Sequence, residues 1–261
     1  MTSALEARIR EARAAKDILL MTHIVVGYPS FAASLEIVDA MVEAGVDLME
    51  LQIPFSEPMA DGPIILAANQ KALAAGSTVE RCFDFATTVA RKHSIPFLVM
   101  SYYNVLFRMG VRRFVEGMKT AGLSGAIVPD LPPEEAGEYL PAMQAGGLDP
   151  IFIFSPSTGA ERMRYIADCA RGFVYCVARK GVTGSHTTFT AELDTYLARC
   201  RAATQLPLAL GFGVKDAADV SFLRGKVDIA VVGSATLRLI DERGVPAVGH
   251  FVRGLRPRAS R

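Results

Sequence analysis

The feature that most restricts how this chain can fold is a rhythm of short apolar segments. Eight of them read as strands: Ile18 to Val26, Val46 to Ile53, Pro96 to Ser101, Gly125 to Pro129, Pro150 to Phe154, Phe173 to Val177, Pro207 to Leu210 and Asp228 to Val232. They recur roughly every 25 to 45 residues with helical stretches between them, the spacing of parallel crossover units. Strands apolar along their whole length call for a sheet covered on its outside. Eight such units close most simply into a (β/α)8 TIM barrel with extra helices, an α/β fold. An open doubly wound sheet is the alternative, but no GxGxxG follows the first strand.

The helical stretches follow from caps and composition. Residues 4–16 are rich in Ala, Glu and Arg and read as a surface helix ahead of the barrel. Ser30 caps a helix over Phe31 to Ala44, which Gly45 closes. Further helices are expected over Ile64 to Ala75, over Val79 to Lys92, from about Val111, from Glu134-Glu135, from a Ser157-Thr158 cap through Cys169, over about Thr190 to Ala202, and twice after Gly233-Ser234. There is no linker or low-complexity segment, so residues 1–261 read as one domain.

Charge and cysteine usage narrow the function classes. A formal net charge of +1, with no basic run beyond Arg112-Arg113 and an arginine-rich tail, argues against a nucleic-acid partner. Cys82, Cys169, Cys176 and Cys200 show neither CxxC nor metal-ligand spacing, so they read as free thiols in a reducing cytoplasm. With no apolar signal core and no run of eighteen apolar residues, a cytoplasmic protein that does not enter a membrane is expected.

The chemistry collects where strands end, which is where barrels of this kind place their working residues. In the second segment Val46, Leu48, Glu50 and Gln52 share one face at period two. A carboxylate among apolar residues at a strand end is costly unless it is partnered or poised to take a proton. Eleven residues on, Asp61 lies in a loop stiffened by Pro54, Pro58 and Pro63. Two carboxylates on one rigid loop can divide acid and base roles if their surroundings separate their pKa values. The plainer alternative is a core strand with a satisfied Glu and a turn Asp. The sixth, seventh and eighth units end in Gly181 and Gly184, in Gly211-Phe212-Gly213 and in Gly233-Ser234, and the last two are expected to stand directly ahead of helices. Such turns let backbone N–H groups approach an anion, although glycines also simply end strands.

None of the seven lysines falls in an expected strand, there is no HExxH or other His-rich metal motif, and no GxSxG elbow is present. What is left is a carboxylate pair and a phosphate cradle. That suits proton transfer on a phosphorylated substrate with neither a metal nor a covalent intermediate.

The run from Glu50 to Pro63 resembles the signature of the tryptophan synthase α subunit family, Glu-Leu-Gly-Ile-Pro-Phe-Ser-Asp-Pro-x-Ala-Asp-Gly-Pro. The resemblance continues through Gly181-Val182-Thr183-Gly184, Gly211-Phe212-Gly213 and Gly233-Ser234, so it covers essentially the whole chain. It implies retro-aldol cleavage of indole-3-glycerol phosphate to indole and glyceraldehyde 3-phosphate. Glu50 would transfer the protons, and an ionised Asp61 would hold the indole N–H. Thr183 would close over the substrate and bond Asp61, Tyr102 and Tyr175 would line the site, and Gly184, Gly213, Gly233 and Ser234 would bind the phosphate. For the two tyrosines, core packing is the plainer alternative. No cofactor is implied in this chain. The implied partner is a PLP-dependent β subunit in an α2β2 heterotetramer, met by the loop Pro54 to Pro58 together with Asn104 and Asp130-Leu131-Pro132.

Three residues depart from the pattern. Gln52 replaces a glycine and is expected either to hydrogen-bond Glu50, lowering its pKa, or to narrow the indole pocket. His23 stands near the indole in place of an aromatic or apolar residue, and Glu57 replaces an aspartate. A stand-alone indole-releasing lyase, a weakly catalytic subunit that mainly activates its partner, and a barrel isomerase acting on another sugar phosphate remain as alternatives.

Overall fold

The computed structural model describes residues 2–178, 191–211 and 213–256. Nine strands form one parallel sheet: β1 (Leu19–Val25), β2 (Leu48–Gln52), β3 (Phe97–Met100), β4 (Gly125–Ile127), β5 (Asp149–Ile151), β6 (Ile153–Phe154), β7 (Val174–Val177), β8 (Leu208–Gly211) and β9 (Ile229–Val232). Their order is β5-β4-β3-β2-β1-β9-β8-β7-β6, every pairing is parallel, and the architecture is the expected (β/α)8 barrel.

The ninth strand is the fifth expected segment in two pieces. Residues 149–151 pair with β4, and residues 153–154 pair with β7. Two local causes delay the ladder to β7. Pro150 has no N–H to donate, and Gly172, at φ 76°, turns the incoming chain before it reaches strand geometry. The two flanks are bridged where Arg171 N–H donates to the Pro150 carbonyl at 3.1 Å and Tyr175 N–H to that of Phe152 at 2.9 Å.

Alternation along the strands builds two cores. Leu19, Met21, Leu48, Leu98, Met100, Ile127, Ile151, Phe173, Ala209, Ile229 and Val231 fill the barrel interior, joined from one end by Leu5 and Ile9 of the helix Ala4–Ala15. Residues of the opposite parity, such as Leu20, Ile24, Met49, Leu51, Phe97 and Val99, face the surrounding helices. The N-terminal helix is thus more than a surface decoration: its apolar stripe reaches the barrel core, and its Ser3 cap donates to the Asp149 carboxylate.

Three helix starts differ from expectation. Pro133–Glu135 is a single 3₁₀ turn and the helix begins at Tyr139, because Pro132 and Pro133 leave the first turn short of donors. Ser157 and Thr158 do not cap the helix Ala160–Cys169; their hydroxyls turn back on Ser155, and Gly159 takes the cap position. A helix not foreseen, Tyr103–Met109, follows β3, its first amide held by the Asp130 carboxylate at 2.8 Å. Among the described residues no helix is long and apolar enough to cross a membrane.

Candidate active site

Glu50 sits on β2 with His23 of β1 and Leu98 of β3 as its lateral neighbours. Its parity turns it inward, where it is 5% exposed, and its Oε2 meets no hydrogen-bond partner among the described residues. Burial, and after it the charge of Asp61, push its pKa up from 4.5 to about 8. At neutral pH it is therefore mainly a carboxylic acid, able to give a proton and then to take one.

Asp61 is half-buried in the loop after β2 and is held by two donors on one oxygen. Gln52 Nε2 donates to Oδ2 at 2.7 Å and the Tyr102 hydroxyl donates to the same atom at 2.9 Å. Burial raises the Asp61 pKa, and the two donors oppose that push without cancelling it, so the ionised Asp61 that the resemblance implies depends on those two donors working against burial. Tyr102 also accepts from Ala60 N–H at 3.2 Å and stacks on Phe55, ring centroids 5.4 Å apart. Phe55 N–H in turn donates to Asn69 Oδ1 at 2.9 Å. The signature includes Phe55 without giving it this role, and no motif marks Asn69. They hold the loop through contacts that only the folded chain creates.

Gln52 does not reach Glu50. Its amide lies between His23 and Asp61: the NH2 faces Asp61, so Oε1 faces His23 Nε2 at 2.6 Å. Gln52 and Tyr102 are not among the described residues that line the cavity; both are bonded to Asp61, which does line it. His23 is buried, and burial lowers its pKa to about 4 despite the bond to Gln52, so the ring is neutral.

One cavity takes in Glu50, Asp61, His23, Tyr175, Gly213, Gly233 and Ser234, with about 730 Å³ of empty space counting its open mouth. Met100, Ile127, Ile153 and Val231, the inward positions nearest the strand ends, give it an apolar wall. That combination of an apolar wall and a few converging polar groups is typical of small-molecule sites. Tyr175 lies over Gly211, where a Cβ would come within 2.7 Å of its Cζ; a side chain there would drive the ring into the cavity. Burial, then the charges of Glu50 and Asp61, hold the Tyr175 phenol well above its usual pKa, so it stays neutral.

The glycine turns differ from one another. Gly213 adopts φ 94°, a conformation that disfavours other residues. The following helix, however, begins only at Ala217, is seven residues long, and has its first amides taken by Asp216. It is not directly behind the glycine, as expected. Gly233 by contrast is the N-cap of Ser234–Arg243, whose first turn has no side-chain cap and faces the cavity through Ser234. Thr183 and Gly184, together with Gly181 and Phe212, lie outside the described residues. Among the described residues no group of three or more His, Cys, Asp or Glu side chains is placed to hold a metal ion.

A (β/α)8 barrel whose strand ends bring a neutral Glu, a hydrogen-bonded Asp and an uncapped helix start into one apolar-walled cavity defines a class: an enzyme moving protons on a small anionic substrate. Comparison with known proteins narrows it. Residues 9–249 match the family model described as the tryptophan synthase alpha chain. The tryptophan synthase alpha chains of Syntrophotalea carbinolica and Desulforapulum autotrophicum are each 64% identical, covering 97% and 96% of this chain and 100% and 99% of their own. Among solved structures, Mycobacterium tuberculosis tryptophan synthase superposes with a TM-score of 0.91 at 32% identity, over 98% of this chain and 97% of that one. The alpha subunit from Legionella pneumophila gives 0.89 at 29% identity, over 98% of each chain. The chain belongs to the tryptophan synthase alpha chain family.

Proposed function

We propose that this chain cleaves indole-3-glycerol phosphate to indole and glyceraldehyde 3-phosphate, with Glu50 and Asp61 dividing the chemistry. The bond to be broken has no carbonyl beside it, so the electrons must be drawn into the indole ring. Protonating indole C3 makes the ring that sink. A carboxylic acid with a pKa of about 8 is suited to supplying the proton at neutral pH. As the carbon–carbon bond breaks, the hydroxyl on the departing carbon loses its proton to a base and becomes the aldehyde. Glu50, now a carboxylate, takes that role. Positive charge develops on the ring nitrogen, and the Asp61 oxygen not engaged by Gln52 and Tyr102 is available to accept its N–H. Met100, Ile127 and Ile153 exclude water from the ring.

Gly213, Gly233 and Ser234 form the phosphate end, where the start of the helix Ser234–Arg243 adds positive potential. The observation that carries the reading is that the carboxylate pair and this helix start open onto the same cavity. Gly233→Asp tests it. The new Cβ would stand 3.6 Å from His23 Nδ1, and its carboxylate would repel the phosphate. KM for indole-3-glycerol phosphate is expected to rise by about 100-fold or more, on the scale of a lost charge-assisted contact, with less change in kcat. An unchanged KM in an indole-release assay would remove the phosphate end from this site.

The chemistry as derived needs no cofactor in this chain. Family membership favours a β-subunit partner, PLP-bearing and joined in an α2β2 assembly, and the reaction belongs to L-tryptophan biosynthesis in the cytoplasm. Exposed surface supports such docking: Met59 and Phe107 are 73% and 71% exposed, and Phe55, Val79, Asn104 and Met109 line a groove together with Glu80, Arg108 and Arg113. Within the loop, Ser56 and Glu57 are exposed, whereas Leu131, expected on that face, is 3% exposed and packs inside. A single sheet running through all nine strands supports one domain over residues 1–261. Steady-state indole release is expected to rise on adding a β subunit, and full turnover without it would favour a stand-alone lyase.

A further inference from the structure

We propose that Gln52 is a positioning residue that clamps Asp61 against the Tyr102 hydroxyl, and that His23 fixes the sense of the clamp. The inference rests on the role given to Asp61 above and deepens it. Three distances carry it: 2.6 Å from His23 Nε2 to Gln52 Oε1, 2.7 Å from Gln52 Nε2 to Asp61 Oδ2, and 2.9 Å from the Tyr102 hydroxyl to the same Oδ2.

An amide can present either end to a carboxylate. Here Gln52 is wholly buried, with the imidazole on one side and the acid on the other. Only one orientation satisfies both: Nε2–H donates to Asp61, and Oε1 accepts from His23 Nε2–H. The neutral imidazole must then carry its proton on Nε2, which leaves Nδ1 a bare acceptor. Nδ1 indeed meets no partner among the described residues. A glycine at position 52, as in the signature that this segment resembles, could do none of this.

The clamp has two consequences. It fills Oδ2 with two donors, which leaves the other oxygen for the ligand. It also favours the ionised form of Asp61 against burial. Among the described residues, the ionisable groups facing Asp61 are Glu50 on β2, Tyr102 after β3 and Tyr175 on β7, with His23 of β1 reached through Gln52. Both tyrosines have raised pKa values and stay neutral, and His23, at about 4, is neutral as well. Among the described residues, Asp61 and Glu50 are therefore the groups near this cavity that set the limbs across pH 5 to 9. The substrate phosphate also titrates there, identically for every variant, so the difference between profiles is read.

The test is the pH dependence of kcat/KM for indole release in wild type, Gln52→Met, His23→Phe and the double variant. Methionine keeps the length and removes the donor. Its acid limb is expected to move up by about one pH unit, with a loss of about tenfold on the acid side of the limb that shrinks as pH rises through it. His23→Phe should move the limb in the same direction by less, and the double variant should match Gln52→Met alone, because without the amide His23 has nothing to orient. Gln52→Asn, one methylene short of spanning both partners, should show the same shift and serves if the methionine variant does not fold. A Gln52 variant whose profile runs parallel to wild type at every pH, or limb shifts that simply add, would overturn the clamp. Asp61→Asn separates this failure from the larger one. If that variant loses activity while the Gln52 profiles stay parallel, only the clamp falls; if it keeps full activity, the role of Asp61 and the clamp fall together.

Discussion

Glu50→Gln is expected to lower indole release by about 10³-fold or more at pH 7 while abolishing a pH-dependent loss of stability. The catalytic loss follows from the chemistry. An amide can neither protonate indole C3 nor take the hydroxyl proton, and a single general acid–base group is worth roughly 10² to 10⁴ in rate. Because Glu50 is assigned both transfers, the upper part of that range applies. The substrate should still bind, since the phosphate end and Asp61 are untouched, so kcat should fall far more than KM rises.

The stability effect has the opposite sign. The folded pKa of Glu50 is raised from 4.5 to about 8, so between those values the unfolded chain ionises this carboxyl and the folded chain does not. The unfolded state then binds fewer protons, and stability falls as pH rises, by at most about 1.4 kcal/mol per unit, levelling off above the folded pKa. Between pH 6 and pH 9 wild type should lose about 2–3 kcal/mol that Glu50→Gln keeps. Denaturant unfolding of both proteins at the two pH values measures the difference. Parallel behaviour would show that Glu50 is not a buried acid in the folded protein, and the proton-donor role would go with it.

Much of this site is legible in the sequence, and what is not legible at the site has a common cause. The inward parity of Leu48, Glu50 and Gln52 follows from period two alone, and the structure keeps it. Strand ends and their loops were legible because hydrophobic runs and prolines are local signals. The partner of Gln52 was not. Its backbone position was right, but a side chain on a barrel wall can reach along its own strand, across to the next strand or out to the loop. Only the placement of His23 and Asp61 selects among these. Tyr102 was read as a wall residue for the same reason, since nothing near it in sequence reveals that its hydroxyl meets an acid forty-one residues upstream. The split of β5 from β6 at Phe152 depends on Gly172 in a different segment, and the Tyr103–Met109 helix on the Asp130 carboxylate from beyond β4. Each of these is a long-range hydrogen bond or ladder that a local pattern does not carry, whereas the helix starts at Tyr139 and Ala160 shifted for local reasons.

Asp61→Asn should be nearly as damaging as Glu50→Gln, and for a reason specific to this arrangement. In wild type, Gln52 Nε2 and the Tyr102 hydroxyl both donate to Oδ2. With Gln52 held in its observed sense by His23, an asparagine satisfies those two donors by turning its carbonyl oxygen toward them, because the other orientation sets NH2 against NH2 unless the Gln52 amide and the His23 tautomer flip together. The satisfied orientation presents the asparagine NH2 to the cavity, where the indole N–H would meet a donor instead of an acceptor. Two effects then add: the ground-state hydrogen bond to the ring is lost, and no negative charge stands beside the nitrogen as positive charge develops on it. Removing one such electrostatic group from an enclosed site costs about 10² to 10³ in kcat. Here kcat should fall by at least that factor, and KM should also rise, in contrast to Glu50→Gln. The contrast is the measurement. Steady-state kinetics of the two variants should separate a group that only moves protons from one that also holds the substrate. If Asp61→Asn binds indole-propanol phosphate as tightly as wild type does, Asp61 does not face the ring nitrogen, and the orientation of the indole in this cavity has to be reversed.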